Sequence, residues 1–161
     1  MRGQRLLLLS VVLVLGCQYD PHTGRYTTAK PVAKSLAGRY VLSEQHLNSE
    51  DAAALRGREC VIDLRADGTF SAMNVPIWEL GPKSDRLADR LASSHGTWRI
   101  ERVGQIDGGW FGVKDHWGVY FDSSPTMLEP VGLMGAKEPY GLIYTIGDPD
   151  SGEAIMLERE P

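Results

Sequence analysis

From Leu36 onward apolar and polar residues alternate with a period of two, the mark of strands with one buried and one solvated face. In Gly38-Arg39-Tyr40-Val41-Leu42-Ser43-Glu44, Tyr40 and Leu42 share one face while Arg39 and Ser43 take the other. Cys60, Ile62 and Leu64 alternate with Val61, Asp63 and Arg65, and Asp67-Gly68 supplies a tight turn into Thr69-Phe70-Ser71-Ala72-Met73. Residues 97–103 set Trp98 and Ile100 against Arg99 and Glu101, and a turn is predicted at Asp107-Gly108-Gly109. Strands are predicted next at 110–113 and 117–121, then at 140–146, a Gly-Asp-Pro-Asp-Ser-Gly loop at 147–152 and a return strand at 153–159. Helical stretches are predicted at Ser49-Glu50-Asp51-Ala52-Ala53-Ala54-Leu55 and Ser84-Asp85-Arg86-Leu87-Ala88-Asp89-Arg90-Leu91-Ala92, each with a capping serine and early acids. Eight antiparallel strands with one apolar face each avoid an exposed edge by curling shut, so the pattern predicts a mainly β fold. The expected form is an eight-stranded barrel or a strongly curved sandwich, with two short helices as connections.

The first residues follow a different rule. Arg2 and Arg5 precede ten uncharged residues, Leu6 to Leu15, which is the charged-then-apolar order of an export signal. A run this short cannot span a hydrocarbon core that needs about 20 apolar residues. Residues 18–35 hold two prolines, one glycine and no apolar period, and so predict a flexible linker with an end-to-end distance on the order of 25 Å.

At Val14-Leu15-Gly16-Cys17 the chain resembles the bacterial lipoprotein family, whose lipobox sets two aliphatic residues and a small one before a cysteine. The resemblance implies a signal peptide at 1–16, a diacylglyceryl thioether on Cys17 and acylation of the new amino terminus. Membrane lipid is then a partner through acylated Cys17, and the protein faces the extracytoplasmic side of the cell membrane or outer membrane. Residues 17–35 become the lipidated cysteine and its tether, and 36–161 the barrel-like domain. A plain secretory signal with an incidental cysteine is the other reading of the same residues.

A length of 161 residues fits one domain, and 42% apolar with 24% charged residues describes an ordinary folded chain. The net charge of -4 and the absence of a long basic run disfavour nucleic acid as a partner. Loss of residues 1–16 removes Arg2 and Arg5, leaving 15 Lys and Arg against 21 Asp and Glu, or -6. Such a body has no charge-based attraction to an anionic lipid surface. With Cys17 lipidated, Cys60 lacks an intrachain partner and is expected to act as a small buried hydrophobe beside Ile62 and Leu64.

Gly38-Arg39-Tyr40, Leu64-Arg65-Ala66-Asp67-Gly68-Thr69-Phe70 and Gly96-Thr97-Trp98 resemble lipocalin-like strand junctions. The Asp-Gly-Thr-Phe, Gly-Thr-Trp and Gly-Asp-Pro-Asp-Ser-Gly-Glu segments are also similar to a group of small bacterial lipoproteins, over residues 36 to 159. These resemblances imply a lipocalin-like barrel, its interior either filled by side chains or holding one small ligand.

Candidate chemistry is sparse. His22, His46, His95 and His116 lack the paired spacing of a zinc site, and turn or surface positions are expected for them. Asp148, Asp150 and Glu153 could offer oxygen to calcium but suit a hairpin loop equally, so no metal is expected. Asp63 and Glu101 read as solvated carboxylates. Trp78, Trp98, Trp110 and Trp117, with Phe111 and Tyr120, are either packing or the wall of an apolar pocket. No catalytic residue or cofactor is expected, and the ligand-binding residues stay unassigned. The leading expectation is a non-catalytic binding or interaction module; the alternative is a lipocalin-like carrier of a small apolar ligand, with an enzyme third. An internal cavity would favour the carrier, and a filled interior the module.

Overall fold

The computed structural model describes residues 20–77, 87–107 and 112–161. Among them eight strands pair antiparallel in chain order: β1 (Gly38–His46), β2 (Val61–Leu64), β3 (Thr69–Pro76), β4 (Leu91–Asp107), β5 (Val113–Ser124), β6 (Val131–Met134), β7 (Gly141–Thr145) and β8 (Ala154–Arg159). β8 returns to β1, from Tyr40↔Arg159 to His46↔Ala154, and the sheet is a closed barrel. Closure leaves no row of unpaired amides along a free edge.

Alternation decides which side chains fill the barrel. Tyr40, Ile62, Leu64, Phe70, Val119, Phe121, Leu133, Leu142, Tyr144, Ile155 and Leu157 are all buried in one cluster, with the Phe70 and Phe121 rings 4.7 Å apart. Each such side chain contributes about 1.5–3 kcal/mol by leaving water, so this stack is the main cohesive element of the fold. The β2–β3 turn forms as its sequence demands: Gly68 takes φ +84°, and the Asp67 carboxylate accepts the Thr69 N–H at 2.9 Å.

The end of the barrel where β1 meets β2 is closed by α1 (Ser49–Leu55). Asn48 Oδ1 caps it by accepting the Glu50 and Asp51 N–H groups, both at 3.0 Å. Buried Asp51 in turn accepts the Leu87 N–H at 2.9 Å, and Leu55 and Leu87 join the core. The second expected helix is corrected: its start at 84–86 lies outside the described residues, Leu87–Arg90 is one 3-10 turn, and Leu91 and Ala92 begin β4. Pairing of Leu91 with Pro76 and of Ala92 with Val75 supplies ladder hydrogen bonds that outweigh local helix preference.

Two strand assignments also change. The segment expected at 117–121 belongs to a longer β5 that starts at Val113, whereas 110–111 and the Gly108-Gly109 turn lie outside the described residues. β6 had no alternation to announce it, being four residues, Val-Gly-Leu-Met, between Pro130 and Gly135.

The largest departure is at residues 20–36. Expected as linker up to residue 35, this segment is a strap laid along the barrel wall. The direct β5–β6 ladder consists of Gly118↔Gly132 and Val119↔Val131, below which Thr27 enters the seam. The Trp117 N–H donates to the Thr27 carbonyl (3.0 Å) and the Thr27 N–H donates to the Leu133 carbonyl (2.9 Å). Tyr26 forms an antiparallel bridge with Met134, the Gly135 N–H donates to the Arg25 carbonyl at 2.8 Å, and the Thr27 hydroxyl donates to the Gly135 carbonyl at 2.7 Å. Further on, buried Leu36 joins the core and its carbonyl accepts the Tyr40 hydroxyl at 2.8 Å. The strap holds because it covers apolar surface: Ile143, Ala154 and Met156, on the wall side of β7 and β8, are buried in a second cluster with Tyr26 and Met134.

Replacing Thr27 by Pro removes the donor to Leu133 and should lower stability by about 1–3 kcal/mol. Val32→Ser, at a strap side chain 70% exposed, should move it by less than ~0.5 kcal/mol. Urea unfolding of both variants checks this; equal midpoints would show that the seam contributes nothing.

Candidate functional site

Clefts lie outside this barrel. Among the described residues, one of about 640 Å³ is lined by Pro21, His22, Arg25, His46, Asn48 and Gly152, and one of about 530 Å³ by Arg25, Tyr26, Met134, Pro139, Tyr140 and Arg159. A third, of about 340 Å³, runs beside Asp20, Tyr26, His116, Glu129 and Thr145. The strap is a wall of all three. A chain segment lying on a curved sheet leaves a groove along each side of itself, so the clefts follow from the strap.

The 530 Å³ cleft mixes apolar and charged walls. Tyr26, Met134, Pro139 and Tyr140 give it apolar surface, and Arg25, Glu158 and Arg159 line it with charge of both signs. Arg25 donates to Glu44 Oε2 at 2.8 Å, and this contact with that of His46 at 2.6 Å holds the Glu44 carboxyl below its ordinary range. Arg159 donates to the Ser35 carbonyl at 2.9 Å. These walls suit an extended or amphipathic partner that lays an apolar strip on the tyrosines and satisfies charge at the rim.

On the other side of Tyr26 lies a packed polar node. The Tyr26 ring stacks on His116 at 4.0 Å between centroids, and its hydroxyl donates to the Asp20 carboxylate. A Cβ added to Gly132 would meet His116 Cε1 at 2.6 Å and Nε2 at 2.8 Å, so the imidazole rests on a strand that only glycine leaves room for. His116 Nε2 is buried with no hydrogen-bond partner among the described residues. Burial holds the His116 pKa below the ordinary 6.5 and, with the Asp20 contact, pushes the Tyr26 phenol up to about 12.

No protein-family model, curated protein or solved structure matches the chain. The site therefore rests on its own geometry.

The residues singled out in the sequence do not converge. Cys17, Trp78, Trp110 and Phe111 lie outside the described residues. Trp98 is a buried core side chain whose indole donates to the Arg65 carbonyl at 3.0 Å, and Trp117 packs against the same core. Tyr120 meets Arg99 at 4.0 Å instead, so the described aromatic residues do not wall one pocket. Asp63 pairs with Arg39 at 3.6 Å and Glu101 with Arg99 at 2.6 Å. Glu153 turns to Asn48, accepting its N–H at 2.9 Å, while Asp148 accepts the Asp150 N–H at 3.1 Å; among the described residues no group is set to hold a metal ion. Cys60 is buried, and burial pushes its thiol up to about 11, away from nucleophilic chemistry.

His116 corrects the expectation of turn or surface positions, being half-buried on β5. His22 sits in a turn as expected but is buried, its Nε2 2.9 Å from the Gly152 carbonyl. Neither they nor Tyr26 stood out as site residues. The available signal was the unbroken apolar runs Leu142-Ile143-Tyr144 and Ala154-Ile155-Met156-Leu157, which in an antiparallel sheet mean cover on both faces.

His116 is harder to protonate with the strap closed than with the ring free. Closure is therefore at full strength above pH 6.5 and weakens as pH falls toward the lowered value. Proton NMR should show His116 titrating below 6.5 and Tyr26→Ala bringing it back toward that value; a wild-type midpoint at or above it contradicts the packing. Tyr144 gives a second check, because its hydroxyl is buried in the barrel without a partner among the described residues. Tyr144→Phe should leave thermal stability unchanged or raise it by up to ~1 kcal/mol, whereas a loss of more than that would reveal a bonded partner inside the barrel.

Proposed function

We propose that this protein is a non-catalytic binding or interaction module of a bacterial cell envelope, held by lipid on Cys17 on the extracytoplasmic side of the membrane. Its contact surface in this reading is the strap-lined outside of the barrel, the 530 Å³ cleft first. The observation that carries it is the division of space: the interior is occupied by Tyr40, Phe70, Phe121, Tyr144 and their aliphatic neighbours, and the clefts described above lie outside.

The anchor rests on the sequence, on Arg2 and Arg5, the apolar run to Leu15 and the Val14-Leu15-Gly16-Cys17 lipobox. Two acyl chains suffice for stable attachment, and among the described residues no helix is long and apolar enough to cross a membrane. The closed eight-stranded barrel supports the lipocalin-like reading of the architecture. A packed interior favours contact at the surface over carriage of an apolar ligand within. The scattered, paired carboxylates and the raised Cys60 thiol favour binding over catalysis.

Expression in a bacterium and detergent extraction test both parts. The intact mass should correspond to a chain starting at Cys17 with added acyl mass, and native mass spectrometry should show no stoichiometric small apolar passenger. A photo-crosslinking side chain in place of Tyr140 should give a discrete adduct in the envelope, and one in place of exposed Asp67 should not. Unmodified Cys17 in the soluble fraction would remove the anchor, and a bound apolar molecule would replace the module with a carrier.

A further inference from the structure

We infer that the barrel stands directly on the bilayer, with the edge formed by the 147–152 loop and the end of β7 toward the lipid headgroups. The inference rests on the lipid attachment proposed above and adds which surface the membrane meets.

It follows from how Asp20 is held to the barrel and how few residues separate it from Cys17. The Asp20 carboxylate accepts the His22 N–H at 2.8 Å and the Tyr26 hydroxyl, while its carbonyl accepts the Thr23 N–H at 3.2 Å and the Thr23 hydroxyl at 2.6 Å. His22 is held to the Gly152 carbonyl, and Pro21 packs so closely on Gly152 that a Cβ there would lie 2.8 Å from its ring. The Tyr26 hydroxyl also lies 3.5 Å from Thr145 Oγ1 at the end of β7. The strap is therefore fixed to the barrel from Asp20 on.

Three Cα steps of 3.8 Å separate residue 17 from residue 20, at most about 11 Å even when fully extended. A free linker running to residue 35 would allow about twice that and any orientation. With acyl chains on the Cys17 sulfur sunk in the hydrocarbon, a reach of about 11 Å crosses the headgroup layer, on the order of 5–8 Å thick per leaflet, and carries residue 20 only a few ångströms past it. Asp20, Pro21, the 147–152 loop and the Thr145 end of β7 must then lie at the headgroup surface. The β2–β3 hairpin around Asp67 is at the opposite end, because β7 and β2 run in opposite directions through the barrel.

Charge does not draw this edge down. Asp20, Asp148, Asp150 and Glu153 make it acidic, and an anionic surface repels them. Proximity is imposed by the short covalent connection. The occupant of this face is accordingly a bilayer rich in zwitterionic headgroups.

The test uses the full acylated chain in vesicles of phosphatidylethanolamine with a minority of phosphatidylglycerol, carrying an acceptor dye on the headgroups. The Cys17 sulfur is tied up in its thioether and Cys60 is buried, so one added cysteine takes the donor dye. Ser151→Cys should transfer energy strongly and Asp67→Cys several-fold more weakly, and about ten Gly and Ser residues inserted between 19 and 20 should erase the difference. Equal transfer from both positions in the uninterrupted chain overturns the orientation. A chain that fails to float with the vesicles and shows an unmodified Cys17 by mass refutes the lipid anchor itself, and this placement with it.

Discussion

The seam between β5 and β6 is the constraint on which the rest of the structure depends. A barrel is stable as a barrel only if every neighbouring pair of strands is bonded, and here the direct ladder stops after Gly118↔Gly132 and Val119↔Val131. Thr27 continues it, taking the Trp117 N–H on one side and giving its own N–H to Leu133 on the other. A buried amide or carbonyl left without a partner costs about 1–3 kcal/mol, so a gap at this position would be an expensive defect. Residues 25–27 of the strap are thus part of the sheet it lies upon.

Once the strap is in place, the surface follows. Tyr26 covers Ile143, Ala154 and Met156 from outside and stacks on His116, whose ring has room only because residue 132 has no side chain. The clefts beside the strap inherit both characters, apolar from the tyrosines and Met134, polar from Asp20, Arg25 and Arg159. The interior is filled by large buried side chains. One wall of the barrel is therefore both the structural seam and the place with room for another molecule.

Much of the fold was readable from the chain because its signals are local. Alternation at 38–44 and 60–65 and the Asp67-Gly68 turn depend on neighbours two residues apart, and each appears where expected. β6 was hidden because four residues with a central glycine carry too little pattern. The second helix failed because Leu91 and Ala92 answer to Val75 and Pro76, partners some fifteen residues away. The strap was misread for a related reason: Pro, Thr and Gly mark a linker only when nothing apolar needs covering, and that need lies more than a hundred residues downstream in β7 and β8. The His116, Tyr26 and Asp20 node was unreadable for the same cause, since it forms only when the strap is laid across Gly132.

Hydrogen exchange resolved at single amides addresses the central claim most directly. In the full chain the Thr27, Trp117 and Gly135 amides should exchange within about tenfold of the slow amides of the β7–β8 ladder, because all close the same cylinder. Exchange of these three at the rate of an unstructured peptide, with the ladder still protected, would mean that the barrel closes without its strap.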